Sequence, residues 1–469
     1  MEATTDARGG PVTDESESGI ARYFRFRERG TTFGTELRAG LTTFMVMAYI
    51  LFLNGSILTG GFAATNQADP RWDAATVAAG TALIAGVMTI AMGLVSNYPF
   101  ALAAGLGINA IVAYSLTGRG LSPAGAMGVI VIEGVVVTLL VLVGLREAIM
   151  NAVPVSLKRA IGVGIGLFIL FIGFATGGLI KTNAPATLVT VSFPTTAAQW
   201  VFIAGLLITI VLFVMRIKAA LIISIVVTTI LALIFGVTAI PDASKLIATP
   251  RFDTLGAFDI GQVFSVLPIV TALLVIFAIM LTDFFDTMGT VTGVAAEAGL
   301  ARQDGTVPDV GRPLLVDSLA AVAGGLGGVS SNTTYIESAA GVADGGRTGL
   351  TAVTTGVLFL IAIFLSPIAL IVPSAATAPV LVLVGYLMFT LIKDIPVGDV
   401  EDGLPALLTM ILMPLTYDIT VGIGAGFISW VLIKLVRGKT AEIHWLMWLV
   451  AIAFLVFFAQ DWITTVLPK

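Results

Sequence analysis

Stretches of about 20 apolar residues recur from one end of this 469-residue chain to the other. A run of that length lets an α-helix cross a hydrocarbon core of about 30 Å. A soluble protein of this size carries about a quarter of its residues as charges. Here 11% are charged and 57% are hydrophobic, with a mean hydropathy of +1.02. The chain reads as an all-α polytopic membrane protein whose main neighbour is the lipid bilayer.

Several function classes drop out at once. There is no cysteine, which excludes disulfides, thiolate chemistry and Fe–S or Cys-zinc sites. His444 is the one histidine, so neither a His-based triad nor most transition-metal sites can form. No basic tract interleaved with aromatics points to nucleic acid. We expect no metal, no cofactor and no enzyme activity. Residues 1–20 are too polar for a packed core and read as a tail without a signal-peptide pattern. Arg22, Arg25, Arg27, Arg29 and Arg38 crowd the entry to the first span and place the N-terminus in the cytoplasm.

Seven apolar segments lie at about 38–58, 74–95, 101–117, 123–144, 154–175, 197–216 and 219–238. A polar connector, 239–262, precedes seven more, at about 263–287, 312–329, 333–343, 350–372, 376–393, 402–416 and 418–436. Arg146, Lys158, Arg159, Arg216, Lys218, Arg302, Arg312, Arg347, Lys393, Lys434, Arg437 and Lys439 fall on the side of the N-terminus. Arg119, Lys181, Lys245 and Arg251 are exceptions. Seven is odd, so the two sets run in opposite directions, which is the arithmetic of an inverted repeat. The third segment of each set is short and broken by glycine: Pro99 to Asn109 in one, Gly328 to Gly341 in the other. Paired short, interrupted segments mark a transporter's midplane site, although tight crossings of small residues would look the same. A last apolar stretch, 441–465, either crosses the membrane or lies at its interface.

Three carboxylates, Asp283, Asp286 and Glu337, sit in or beside these segments. An ionised side chain there costs about 2.5–3.5 kcal/mol or more, so it usually faces a cavity, a partner or a substrate. Asp283 and Asp286 are three residues apart and share a helix face. Two carboxylates this close repel, and one of them is a candidate to carry a proton at neutral pH. Glu337 follows Thr333 and Thr334. A strand leading into a half-helix would aim backbone N–H donors at the membrane centre, beside a carboxylate acceptor. That set suits a planar heterocycle with N–H and C=O edges. Thr334 and Glu337 also have the spacing of a capping box, a purely structural use. Asn109 holds the matching place in the first set, where its amide could read a base edge or simply join two helices. Asn54 and Tyr49 are weaker candidates. The run Gly324–Gly328 lacks the Lys-Ser/Thr of a P-loop and reads as close packing.

The segments Thr42–Ile50, Pro99–Ala110, Asp283–Thr290, Thr333–Thr351 and Met413–Asp418 together resemble the AzgA-like adenine/guanine/hypoxanthine permeases. These are a branch of the nucleobase–cation symporter-2 (nucleobase–ascorbate transporter) superfamily. The resemblance spans about residues 30–460. It implies a seven-plus-seven inverted repeat with 14 membrane segments, brief β-strands in the third and tenth, and an extra C-terminal apolar helix. It also implies core regions at 31–145 and 263–372 and gate regions at 146–240 and 373–437, beyond a tail at 1–30. Residues 438–469 form the C-terminal apolar segment. The core of such proteins moves against the gate in an elevator-like way, often in a homodimer.

By that resemblance, Asp286 and Glu337 match the acids that hold a purine base and couple protons. Asp283 and Asn109 match nearby polar positions, and the substrate would lie between the strands carrying Ala104, Thr333 and Thr334. Two features depart from the pattern: Ala104 stands where a proline is expected, and Ser330-Ser331-Asn332 replaces a more Thr/Ser-rich approach to Thr333. The expectation is a proton-coupled importer of purine bases in the cell membrane. The alternative is a xanthine/uracil permease or an anion transporter of the same fold.

Overall fold

The computed structural model describes residues 19–144, 152–183, 187–242, 249–302 and 306–466. Expectations that fall on residues 1–18, Arg146 and Lys245 lie outside the described residues. Two short helices, α1 (Gly19–Tyr23) and α2 (Phe26–Arg29), lead into α3 (Phe33–Met47) and α4 (Ile50–Ala64). The Thr32 side chain caps α3 by accepting from Thr35 N. Next come α5 (Ala74–Ser96), β1 (Leu102–Ala104), α6 (Leu106–Ala110) with a π-helical continuation Ile111–Leu116, α7 (Pro123–Leu142) and α8 (Val155–Thr176). A hairpin of β2 (Ile180–Asn183) and β3 (Thr187–Val191) precedes α9 (Ala197–Val214) and α10 (Ala220–Ile234).

The second half mirrors this order. It runs α11 (Ile260–Val266), α12 (Ile269–Glu297), α13 (Gly311–Gly327), β4 (Asn332–Thr334), α14 (Ser338–Ala343), α15 (Gly349–Ala362), α16 (Ser374–Phe389), α17 (Val400–Thr416) and α18 (Ile419–Val436). Among the described residues nine helices are long and apolar enough to cross a membrane. Packing follows an inverted repeat: α5 lies on α15 as α13 lies on α7, and α9 lies on α10 as α17 lies on α18. The helix α12 runs on to Glu297, ten residues past the expected end of its segment.

Glycine sets the closeness of the crossings. A Cβ on Gly349 would stand 2.0 Å from the Gly93 carbonyl oxygen, and one on Gly356 would stand 2.6 Å from that of Gly86. Each pair of glycines is seven residues apart, so they form one seam along α5 and α15. The expected close packing of the Gly324–Gly328 run is there too. A Cβ on Gly324 would lie 2.0 Å from Ser330 O, where the chain doubles back into β4. A final helix, α19 (Trp445–Val466), packs against α12 and α18 with Phe454 fully buried.

Candidate functional site

The two broken segments meet at their strands. β1 and β4 pair antiparallel, with Leu102 opposite Thr334, Ala103 opposite Thr333 and Ala104 opposite Asn332. Gly105 N donates to Ser331 O at 2.9 Å and Tyr335 N donates to Ala101 O at 2.9 Å, which extends the ladder at both ends. The Tyr335 hydroxyl then donates to Ala104 O at 2.5 Å. Both strands are buried, and a two-stranded ladder this short depends on its surroundings.

Those surroundings include an acid that sequence reasoning passed over. Asp317, fully buried on α13, accepts from Thr334 N (2.9 Å), Thr334 Oγ1 (2.8 Å) and Thr287 Oγ1 (2.7 Å). Thr287 Oγ1 also lies 2.9 Å from Thr333 Oγ1. One carboxylate thus ties β4 to α12, the helix that carries Asp286. The signal was present, since Asp317 is the lone acid of an apolar span and obeys the rule that singled out Asp283. Glu133 on α7, also fully buried, was missed in the same way.

The capping box that the spacing of Thr334 and Glu337 allows does not form. Thr334 is spent on Asp317, and Glu337 sits at the N-cap of α14 without a side-chain capping bond. Its Oε1 instead accepts from the Tyr49 hydroxyl at 2.6 Å, so Tyr49 of the first span belongs to the cluster. Asp286 lies within electrostatic reach of both Glu337 and Asp317. Among the expected site residues only Asp286 is exposed and Glu337 half-buried. Asp283, Asn109, Ala104, Thr333 and Thr334 are buried. Asn109 is fully buried on α6, and neither its Oδ1 nor its Nδ2 has a hydrogen-bond partner. An amide in that state is free to bond a guest or a neighbouring group after a small shift.

Access to Asp286 is one-sided. On its face of α12, Gly289 and Gly293 are exposed toward the side of the N-terminus, while Thr282, Ile279 and Val275 are buried toward the other. Ile336, 54% exposed, lines the open side beside Gly293. Lys158 of α8 stands over the Phe285 ring at 5.5 Å. On the closed side Tyr417 meets Tyr114, Phe168 and Phe171 edge-on at 5.6, 5.1 and 5.8 Å.

Acids gathered where the broken segments of two inverted halves cross, reached from one side, define a membrane transporter. Residues 34–425 match the Permease family (Xan_ur_permease), and the chain belongs to that family. It is 40% identical over 439 residues to the guanine/hypoxanthine permease PbuG of Bacillus subtilis, covering 93% of this chain and 98% of the relative. It is 39% identical over 448 residues to the adenine permease AdeQ of Escherichia coli, covering 94% and 96%. Among solved structures it resembles the transmembrane domain of the cyanobacterial bicarbonate transporter BicA, with a TM-score of 0.62 and 16% identity. That match covers 84% of this chain and 96% of the other. The protein is a permease and not an enzyme.

Proposed function

We propose that the protein is a secondary active transporter that imports purine nucleobases (adenine, guanine or hypoxanthine) by proton symport. The observation that carries this reading is the meeting of Asp286, Glu337 and the Tyr49 hydroxyl at the β1–β4 crossing. A purine offers ring N–H donors to the Glu337 carboxylate, and its carbonyl or ring nitrogens suit amide donors such as Asn109. Two acids facing each other in a low-dielectric site repel, and a proton taken up with the base relieves that repulsion. The relatives named as adenine and guanine/hypoxanthine permeases support the substrate class.

The same reading takes 31–145 and 263–372 as a core that carries the site, and 146–240 and 373–437 as the gate. The core slides along the gate, elevator-fashion, across 14 membrane segments with the N-terminus in the cytoplasm of the cell and a homodimer as the working unit. An anion carrier of this fold would place cationic groups where Asp286 and Glu337 stand, so we do not favour it. The test is uptake of radiolabelled hypoxanthine into proteoliposomes under an imposed pH gradient. Gradient-driven uptake is expected. Equal uptake by inserted Asp286→Asn or Glu337→Gln carriers would overturn the assignment.

A further inference from the structure

Two ion pairs join topologically equivalent places in the inverted repeat, with their charges exchanged. Arg119 leaves the third segment of the first half and pairs with Asp418, the corner between α17 and α18. Asp344 leaves the corresponding segment of the second half and pairs with Lys218, the corner between α9 and α10. Each pair therefore fastens a strand-bearing broken segment to the last two helices of the opposite half. They lie on opposite sides of the membrane, and they are not equally wet. The side chains of Arg119 and Asp418 are 19% and 14% exposed, against 57% and 22% for Lys218 and Asp344.

The Arg119–Asp418 pair sits on the side where the way to Asp286 is shut. The Arg119 guanidinium also stands over the Phe457 ring of α19 at 5.3 Å. Tyr417, next to Asp418 and left-handed at φ 59°, reaches into the aromatic cluster with Tyr114, five residues before Arg119. Asp418 is held from behind, since its Oδ1 accepts from Thr420 N at 2.9 Å as the cap of α18. Ion pair, cation–π contact and aromatic cluster thus converge on one junction between the broken segment and α17–α18.

We propose that Arg119 and Asp418 are a latch that holds the transporter open to the N-terminal side, and that the latch must break before Asp286 can face the other side. The inference rests on the core-against-gate motion proposed above, but not on the identity of the substrate. A partly buried, charge-assisted pair is worth more than a surface pair, which is screened by salt and side-chain freedom. The Lys218–Asp344 pair is of the second kind, so the two counterparts contribute unequally.

The absence of cysteine makes a direct test available. A single Thr282→Cys reporter lies one turn from Asp286 on the closed side and is buried. Its reaction with a membrane-impermeant maleimide, added from the side opposite the N-terminus, reads the population of the opposite-facing state without any substrate. Asp418→Asn keeps the cap on Thr420 and removes only the charge. Labelling is expected to rise about fivefold in Asp418→Asn and in Arg119→Gln, and by less than about twofold in Lys218→Gln. An unchanged rate in both single variants would overturn the latch. So would an equal rise in Lys218→Gln. Failure of hypoxanthine uptake with the labelling pattern intact would count against the substrate reading alone.

Discussion

Glu36 and Asp286 are both carboxylates within apolar surroundings, and they are held in opposite ways. Glu36, fully buried near the start of α3, accepts from Thr31 Oγ1, Arg347 N, Thr348 N and Oγ1, and Thr351 N and Oγ1, at 2.6 to 3.2 Å. Its two oxygens are surrounded by donors, and the result is a rivet between α3 and the start of α15. Asp286 is exposed on α12, faces two other acids, and has open access from one side. A buried acid provided with donors serves the fold. An acid left accessible among like charges is held there at a cost to the fold, and its use lies in what binds it.

The comparison can be broken most sharply at its functional end. Asp286→Asn should reduce gradient-driven uptake about a hundredfold or more, while detergent-solubilised protein melts at or above the parent temperature, because a repelling charge is gone. A large fall in melting temperature together with lost uptake would make Asp286 another rivet. Glu36→Ala should do the reverse. It strands buried N–H and hydroxyl donors, so a loss of about 3 kcal/mol of stability is expected. Thermal unfolding followed by tryptophan fluorescence measures it, and the surviving folded fraction should retain its substrate affinity.

Tyr49→Phe is intermediate, since it deletes one hydroxyl and no volume to speak of. The 2.6 Å bond to Glu337 is charge-assisted when Glu337 is ionised, and its loss is expected to cost about tenfold in kcat/KM for uptake. A change confined to expression level would move Tyr49 to the structural side of the comparison.

How much of this contrast a sequence carries depends on how local the cause is. Apolar runs, the odd count per half and the two glycine-broken segments are local patterns, and they led to the inverted repeat; the strands at Ala104 and Thr334 came from the family resemblance. What Asp317 and Glu36 do is not local. Their donors lie 17 and more than 300 residues away, at Thr334 and at Thr348 and Thr351. The capping box that the Thr334–Glu337 spacing allows is absent for the same reason: it is a local preference, and two tertiary partners, Asp317 and Tyr49, outbid it. Whether residues 441–465 cross the bundle was undecidable from hydropathy because an interfacial helix has similar composition. Contact of α19 with α12 and α18 shows that it packs against the bundle.

The smallest effect is expected at Asp344, where the comparison extends into water. Hydrogen bonds from Lys218 and Thr42 hold its carboxyl below the usual carboxylate range, and its partner Lys218 is largely exposed. A carboxyl whose folded-state value is depressed contributes stability that is fully present above its ordinary value near 4 and is lost as pH falls through the folded value. The melting temperature of the parent should therefore exceed that of Lys218→Gln by a margin of about 1–2 °C that stays constant from pH 8 to pH 5. Below about pH 4 the margin should shrink, and added salt should shrink it at any pH. A margin that grows on acidification would mean that Lys218 supports the fold by some contact other than this carboxylate.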